Sequence, residues 1–142
     1  MYKTIPDDVK KFIENSINIS NREIIFDNND FVVMEDIKHK KNCYHYTAWY
    51  KHDCKSLIDI NDKCLEHIKN LLSTIKSFKT KPLIFIHFPP SHWNLHIHFT
   101  QATHVFGCPI REIFYIDKVI ENLSADSEYY RKKVFIDISA NI

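Results

Sequence analysis

Residues 83–100, LIFIHFPPSHWNLHIHFT, constrain the fold more tightly than any other part of the 142-residue chain. Pro89 and Pro90 carry no N–H and cannot donate to a strand ladder, so they belong to a connection, PPSHW, between two strands, LIFIHF and NLHIHFT. Side chains at i and i+2 of a strand share a face, so His96 and His98 project together while Leu95, Ile97 and Phe99 go to the opposite side. Pairing of the two strands as a hairpin brings His87 near the same face. The pattern therefore requires a sheet with core on one side and imidazoles on the other.

The remaining periodicities supply the partners of that sheet. Glu23 to Phe26 and Phe31 to Met34 are short β-branched or aromatic runs separated by the turn cluster DNND, which predicts a hairpin. CYHYTAWYK, 43–51, predicts a third strand. From Asn61 to Phe78, apolar residues at Leu65, Ile68, Leu72, Ile75 and Phe78 recur at three- and four-residue steps, the pattern of a long amphipathic helix behind the sheet. Pro6 followed by DDVKKFIENSI predicts a short first helix with Val9, Phe12, Ile13 and Ile17 as its buried stripe. After the turn at GCP, Ile110 to Leu123 reads as a second helix, 127–132 as a short helical piece, and VFIDIS, 134–139, as a last strand. Helices gathered between neighbouring strands predict an α+β class with a mainly antiparallel sheet of about five or more strands, in one domain over residues 1–142.

Composition narrows the partners. A formal net charge of +1 gives no footprint for duplex nucleic acid, although one or two placed lysines suffice for a small phosphorylated ligand. No run approaches the roughly 20 apolar residues of a membrane span, and the amino terminus lacks a signal-peptide core, which predicts an intracellular protein of cytoplasm or nucleus without membrane partners. Cys43, Cys54, Cys64 and Cys108 show no CxxC spacing and read as reduced thiols. The single glycine, Gly107, excludes a glycine-rich phosphate loop, so side chains and ordinary amides must hold any phosphate.

Four of the nine histidines fall within 87–100, namely His87, His92, His96 and His98. Three readings of that cluster compete. The rings could be half-buried and bonded to backbone; two histidines on a strand and a third nearby could form a zinc site with one open position, although no Asp, Glu or Cys lies within 87–100. Alternatively, a neutral imidazole attacks phosphorus while a neighbouring imidazolium stabilises phosphoryl oxygens or protonates the leaving group, which needs no metal.

The segment 86-IHFPPSHWNLHIHFT-100 resembles the active-site strand of the histidine triad (HIT) family, most closely the catalytic domain of scavenger mRNA decapping enzymes. Their pattern there is aliphatic-His-aromatic-x-Pro-Ser-x-x-His-φ-His-φ-His-aromatic-Thr. KVIENLSADSEYYRKKVFIDIS, 118–139, is similar to their helix, tyrosine-bearing turn and final strand, and REIIFDNNDFVVMEDIKHK, 22–40, to their first hairpin. The resemblance implies a homodimeric hydrolase without cofactor or metal. It would cleave the triphosphate bridge of a short capped RNA remnant into 7-methylguanosine monophosphate and a nucleoside diphosphate. His96 matches the nucleophile that forms a nucleotidyl-histidine, His98 the third histidine of the triad, and His87 an additional upstream one near the phosphates. Ser91 matches a phosphate-contacting serine, Asp36 and Lys38 groups lining ribose and phosphate, and Ile37 an aliphatic cover on the base.

Four departures accompany the match. Asn94 stands where the triad has its first histidine, a position that in the family orients the nucleophile's other ring nitrogen through its backbone carbonyl. His92 stands where the decapping enzymes carry tyrosine, and Phe12 is the nearest aromatic to the position of the base-stacking ring. The family's amino-terminal lid domain has no counterpart in the sequence, which reads as the catalytic domain alone. The alternative functions are a general HIT nucleotide hydrolase acting on dinucleoside polyphosphates or nucleoside phosphoramidates, and a non-catalytic cap or nucleotide binder.

Overall fold

The structure is a computed structural model that describes residues 23–36, 43–75, 81–90, 93–101 and 112–132. Six strands form one sheet: β1 (Ile24–Asp27), β2 (Phe31–Glu35), β3 (His45–Tyr50), β4 (Pro82–Phe88), β5 (His96–Gln101) and β6 (Glu112–Tyr115). Their order is β1-β2-β3-β5-β4-β6, and every pairing is antiparallel. Two helices, α1 (Asp62–Thr74) and α2 (Ile116–Ala125), complete an α+β architecture of the HIT type. None of the described helices is long and apolar enough to cross a membrane.

Local chemistry explains the turns. The Asn28 side chain accepts from the backbone N–H groups of Asp30 and Phe31 at 2.8 and 2.7 Å, closing the β1–β2 connection as an Asx turn. Asn61 caps α1 by accepting from Cys64 N at 2.9 Å. The buried stripe Cys64, Leu65, Ile68 and Leu71 of α1 joins Ile116, Val119 and Leu123 of α2 in one core cluster with Phe31, Val33, Ala48, Ile97 and Phe99. Both helices thus cover the same side of the sheet. The opposite side carries Val32, Met34, His45, Thr47, Trp49, Phe85, His87, His96 and His98, all buried.

Two expectations need correction. In the segment expected to be helical from Ile110 to Leu123, the first described residues, Glu112–Tyr115, form strand β6, and the helix starts at Ile116. β6 pairs Glu112–Tyr115 against Phe88–Phe85. That pairing supplies partners for backbone groups along the outer edge of β4, a gain that a helical period within one segment cannot reveal. Helix α1, expected to reach Phe78, ends at Thr74, since Ile75 is extended (φ −79°, ψ 116°). Ser73 and Thr74 hydroxyls donate back to the Asn70 carbonyl at 2.9 Å, a local competition that weakens a last turn. The first helix and the last strand fall outside the described residues.

The helix-covered face holds two acids whose surroundings oppose ionisation. A hydrogen bond with Cys64, followed by burial, pushes the Cys54 thiol far above its ordinary 9.0, and burial, followed by the charge of Cys64, pushes the Tyr50 phenol above its ordinary 10.0. Above those ordinary values the unfolded chain releases protons that the folded chain keeps, so stability falls with rising pH. Both groups act in the same direction. Urea unfolding under reducing conditions is expected to give a constant midpoint from pH 7 to 8 and a decline beginning near pH 9. Cys54→Ala should delay the onset toward pH 10, and an unchanged onset in that variant would contradict the assignment.

Candidate active site

β5 lies between β3 and β4, so its inward histidines are flanked on both sides. The register sets Trp49 opposite His96, Thr47 opposite His98 and His45 opposite Thr100 from β3, and Phe85 opposite His98 from β4. One face therefore collects His45, His87, His96 and His98. Ring centroids stand 4.8 Å apart for His87 and His98, 5.1 Å for His96 and His98, and 5.1 Å for His45 and His98. His87, His96 and His98, grouped by strand alternation, are brought together by the folded sheet.

Asn94, 1% exposed, sits in the bend before β5. Its Nδ2 donates to the Tyr50 carbonyl at 2.8 Å, and its own main-chain carbonyl accepts from His96 Nδ1 at 2.8 Å. A carbonyl only accepts, so Nδ1 of His96 carries the proton and the neutral ring holds its lone pair on Nε2. The His96 ring is also stacked on Trp49, with centroids 4.5 Å apart and planes inclined by 26°. Two independent contacts thereby fix both the orientation and the tautomer of this imidazole.

His98 is held differently. Its Nδ1 and His45 Nε2 are 2.9 Å apart, and it stacks on Phe85 at 5.3 Å with a 16° inclination. One of the two nitrogens in that contact must be unprotonated, so the pair holds at most one imidazolium proton between them. Because Nδ1 is engaged, any contact of His98 with a substrate oxygen runs through Nε2. Asp36 completes the group: Thr47 Oγ1 donates to its Oδ2 at 2.6 Å, and its own N–H donates to the His45 carbonyl at 2.9 Å.

Asp36, His45 and His98 place one ligand atom each within 4.8 Å of one another, which keeps the zinc reading in view on this face. Zinc bonds of about 2.0–2.1 Å at tetrahedral angles set ligand atoms about 3.3 Å apart. The 2.9 Å His45–His98 contact would have to open between two buried rings, and Thr47 already occupies one carboxylate oxygen. The arrangement suits proton sharing between imidazoles better than a metal.

Of the other residues singled out in the sequence, Phe12, Ile37, Lys38, Ser91 and His92 lie outside the described residues. His45, Thr47 and Trp49 were not singled out. Alternation along CYHYTAWYK does put them on one face of β3, but their relevance depends on β3 lying beside β5, a pairing between segments about fifty residues apart.

The profile of the family described as "Scavenger mRNA decapping enzyme C-term binding" matches residues 10–112. The m7GpppX diphosphatase of Sus scrofa is 26% identical over 127 aligned positions, covering 78% of this chain and 38% of the relative. Those of Mus musculus and Homo sapiens are each 25% identical over the same extent. The alignment thus spans well under half the length of these relatives. With the matched profile covering most of the sequence and the HIT-type sheet carrying its histidines on one face, the chain belongs to the scavenger mRNA decapping enzyme C-terminal family.

Proposed function

We propose that the chain hydrolyses a phosphoanhydride bond in short methylated cap structures through a covalent nucleotidyl-histidine on His96. The observation that carries this reading is the 2.8 Å bond from His96 Nδ1 to the Asn94 carbonyl, which orients the ring and makes Nε2 the nitrogen that bears the lone pair. Nε2 attacks the phosphorus of the methylguanosine nucleotide, the bridging P–O bond breaks, and a nucleoside diphosphate departs with a proton from an imidazolium on the same face. Water then attacks the phosphorus, the P–N bond breaks, and 7-methylguanosine monophosphate leaves with His96 restored. His98 and His87 stabilise the phosphoryl oxygens, and Ser91, His92 and Lys38 add contacts along the phosphates. Asp36, Ile37 and Phe12 belong to the nucleoside end. The relatives' name, m7GpppX diphosphatase, supports the choice of substrate. We include a homodimer in this reading, measurable by light scattering.

The test is incubation with a methylated cap dinucleotide and, separately, an unmethylated dinucleoside polyphosphate, each with and without chelator. Faster cleavage of the methylated substrate, unaffected by chelator, is expected. Equal cleavage of both would replace cap specificity by a general nucleotide hydrolase, and loss of activity in chelator would transfer the chemistry to a metal. Binding without turnover would leave a cap or nucleotide binder.

A further inference from the structure

A second cluster of ligating side chains lies on the helix-covered side of the sheet, away from the histidine face. Asp30 comes from the β1–β2 turn, His52 from the segment after β3, and His67 from α1. Asp30 Oδ1 is 2.7 Å from His52 Nε2 and 3.5 Å from His67 Nε2, and the three ligand atoms all lie within 4.8 Å of one another. We propose that Asp30, His52 and His67 form a binding site for a divalent transition-metal ion of the zinc class, with water in the fourth position.

Three features carry this assignment. Tetrahedral bonds of about 2.0–2.1 Å place ligand atoms about 3.3 Å apart. The Asp30–His67 edge is already close to that, and the Asp30–His52 edge must widen by about half an ångström. That adjustment is available here, because the His52 side chain is 40% exposed; on the other face it would have to occur between buried rings. The second feature is the orientation of His67. Its Nδ1 is 2.7 Å from the Tyr50 hydroxyl, the outer hydrogen bond that turns a metal-ligating imidazole toward its ion.

The Tyr50 hydroxyl can accept as well as donate. On metal binding the His67 proton sits on Nδ1 and is donated to the Tyr50 oxygen, which frees Nε2 as ligand.

The third feature is the anchoring of Asp30. Its N–H donates to the Asn28 side chain at 2.8 Å, and its carbonyl accepts from Lys51 N at 2.7 Å, so the carboxylate projects from a fixed turn. Lys51 Nζ is engaged by Asp27 and the Asn28 carbonyl. Two imidazoles and one carboxylate are a donor set suited to zinc and its neighbours, whereas calcium and magnesium require mostly oxygen. An ion there joins the hairpin turn, the end of β3 and α1, three segments remote in sequence.

The test uses tag-free, metal-free protein titrated with Co2+ as a spectroscopic stand-in and with Zn2+ in a thermal melt. The expected result is one equivalent of Co2+ giving the intense visible absorption of four-coordinate cobalt, with Zn2+ raising Tm. His52→Ala, at an exposed position, should weaken binding at least about a hundredfold and abolish the Tm rise, as should His67→Gln; the metal-free far-ultraviolet spectrum of His52→Ala should match that of the parent. His98→Asn should bind as the parent does. Absence of binding at micromolar metal would overturn the site. So would binding that survives His52→Ala and disappears in His98→Asn, which would put the ion on the histidine face. Neither readout depends on activity, so the outcome is independent of the proposed hydrolase reaction.

Discussion

His96→Ala is expected to lower the rate of cap-dinucleotide cleavage by at least about 10⁴-fold, with little change in substrate affinity. The magnitude follows from the nature of the lost group. A proton donor or a charge-stabilising side chain contributes about 10²–10⁴-fold, and a substitute such as water takes over part of its work. A nucleophile that forms the covalent bond is lost altogether with its ring. The ring nitrogen of His98 that could face a substrate is Nε2, and its Nδ1 is paired with His45. His98→Asn is thus expected to cost less than His96→Ala, and the order of the two distinguishes nucleophile from stabiliser. Rapid-quench measurement with phosphorus-labelled substrate checks both the rate and the acid-labile protein adduct. Retention of the adduct in His96→Ala would assign the covalent chemistry to another residue.

Asn94 should act through position and not through contact with substrate. Its side chain donates to the buried Tyr50 carbonyl while its backbone carbonyl receives His96 Nδ1. Asn94→Leu keeps the backbone carbonyl and removes the donor that holds it in place. The orphaned carbonyl costs about 1–3 kcal/mol of stability. A nucleophile that loses its alignment by a fraction of an ångström costs about 10- to 100-fold in kcat, with KM nearly constant.

Asn94→His is the informative companion. Imidazole Nδ1 and asparagine Nδ2 lie the same number of bonds from Cα, so histidine offers a donor at the same place, and kcat should remain within about threefold of the parent. Asn94→Asp has the right size but sets a carboxylate against a carbonyl, and should be at least as damaging as leucine. If leucine and histidine variants had equal kcat, the Tyr50 bond would be irrelevant to catalysis.

How much of this was legible in the sequence depended on the distance over which each feature is determined. The face shared by His96 and His98 follows from alternation within a single strand, and the approach of His87 from one hairpin, because both are set by neighbouring residues. The β1–β2 hairpin and the core of α1 were legible for the same reason, from DNND and from a run of apolar steps. Strand β6 was not. Glu112–Tyr115 is too short for its period to oppose the helical pattern that continues through Val119 and Leu123, and what makes it a strand is the waiting edge of β4. His45 and Trp49 were hidden similarly, since the chain runs through α1 and β4 before β5 returns to lie against β3. The Asp30, His52 and His67 group has no sequence motif, because each ligand comes from a separate segment.

The Trp49–His96 stack has a consequence for observing the reaction. In the proposed reaction Nε2 becomes bonded to phosphorus while Nδ1 keeps its proton, so the imidazole would turn cationic directly over the face of an indole. An indole attracts such a ring by about 0.5–2 kcal/mol, so the stack favours the charged intermediate over the uncharged resting state. A cationic imidazole also quenches indole emission. The other tryptophan, Trp93, is 49% exposed and removable as Trp93→Phe, which leaves a protein whose intrinsic fluorescence follows the formation and decay of the covalent state in real time.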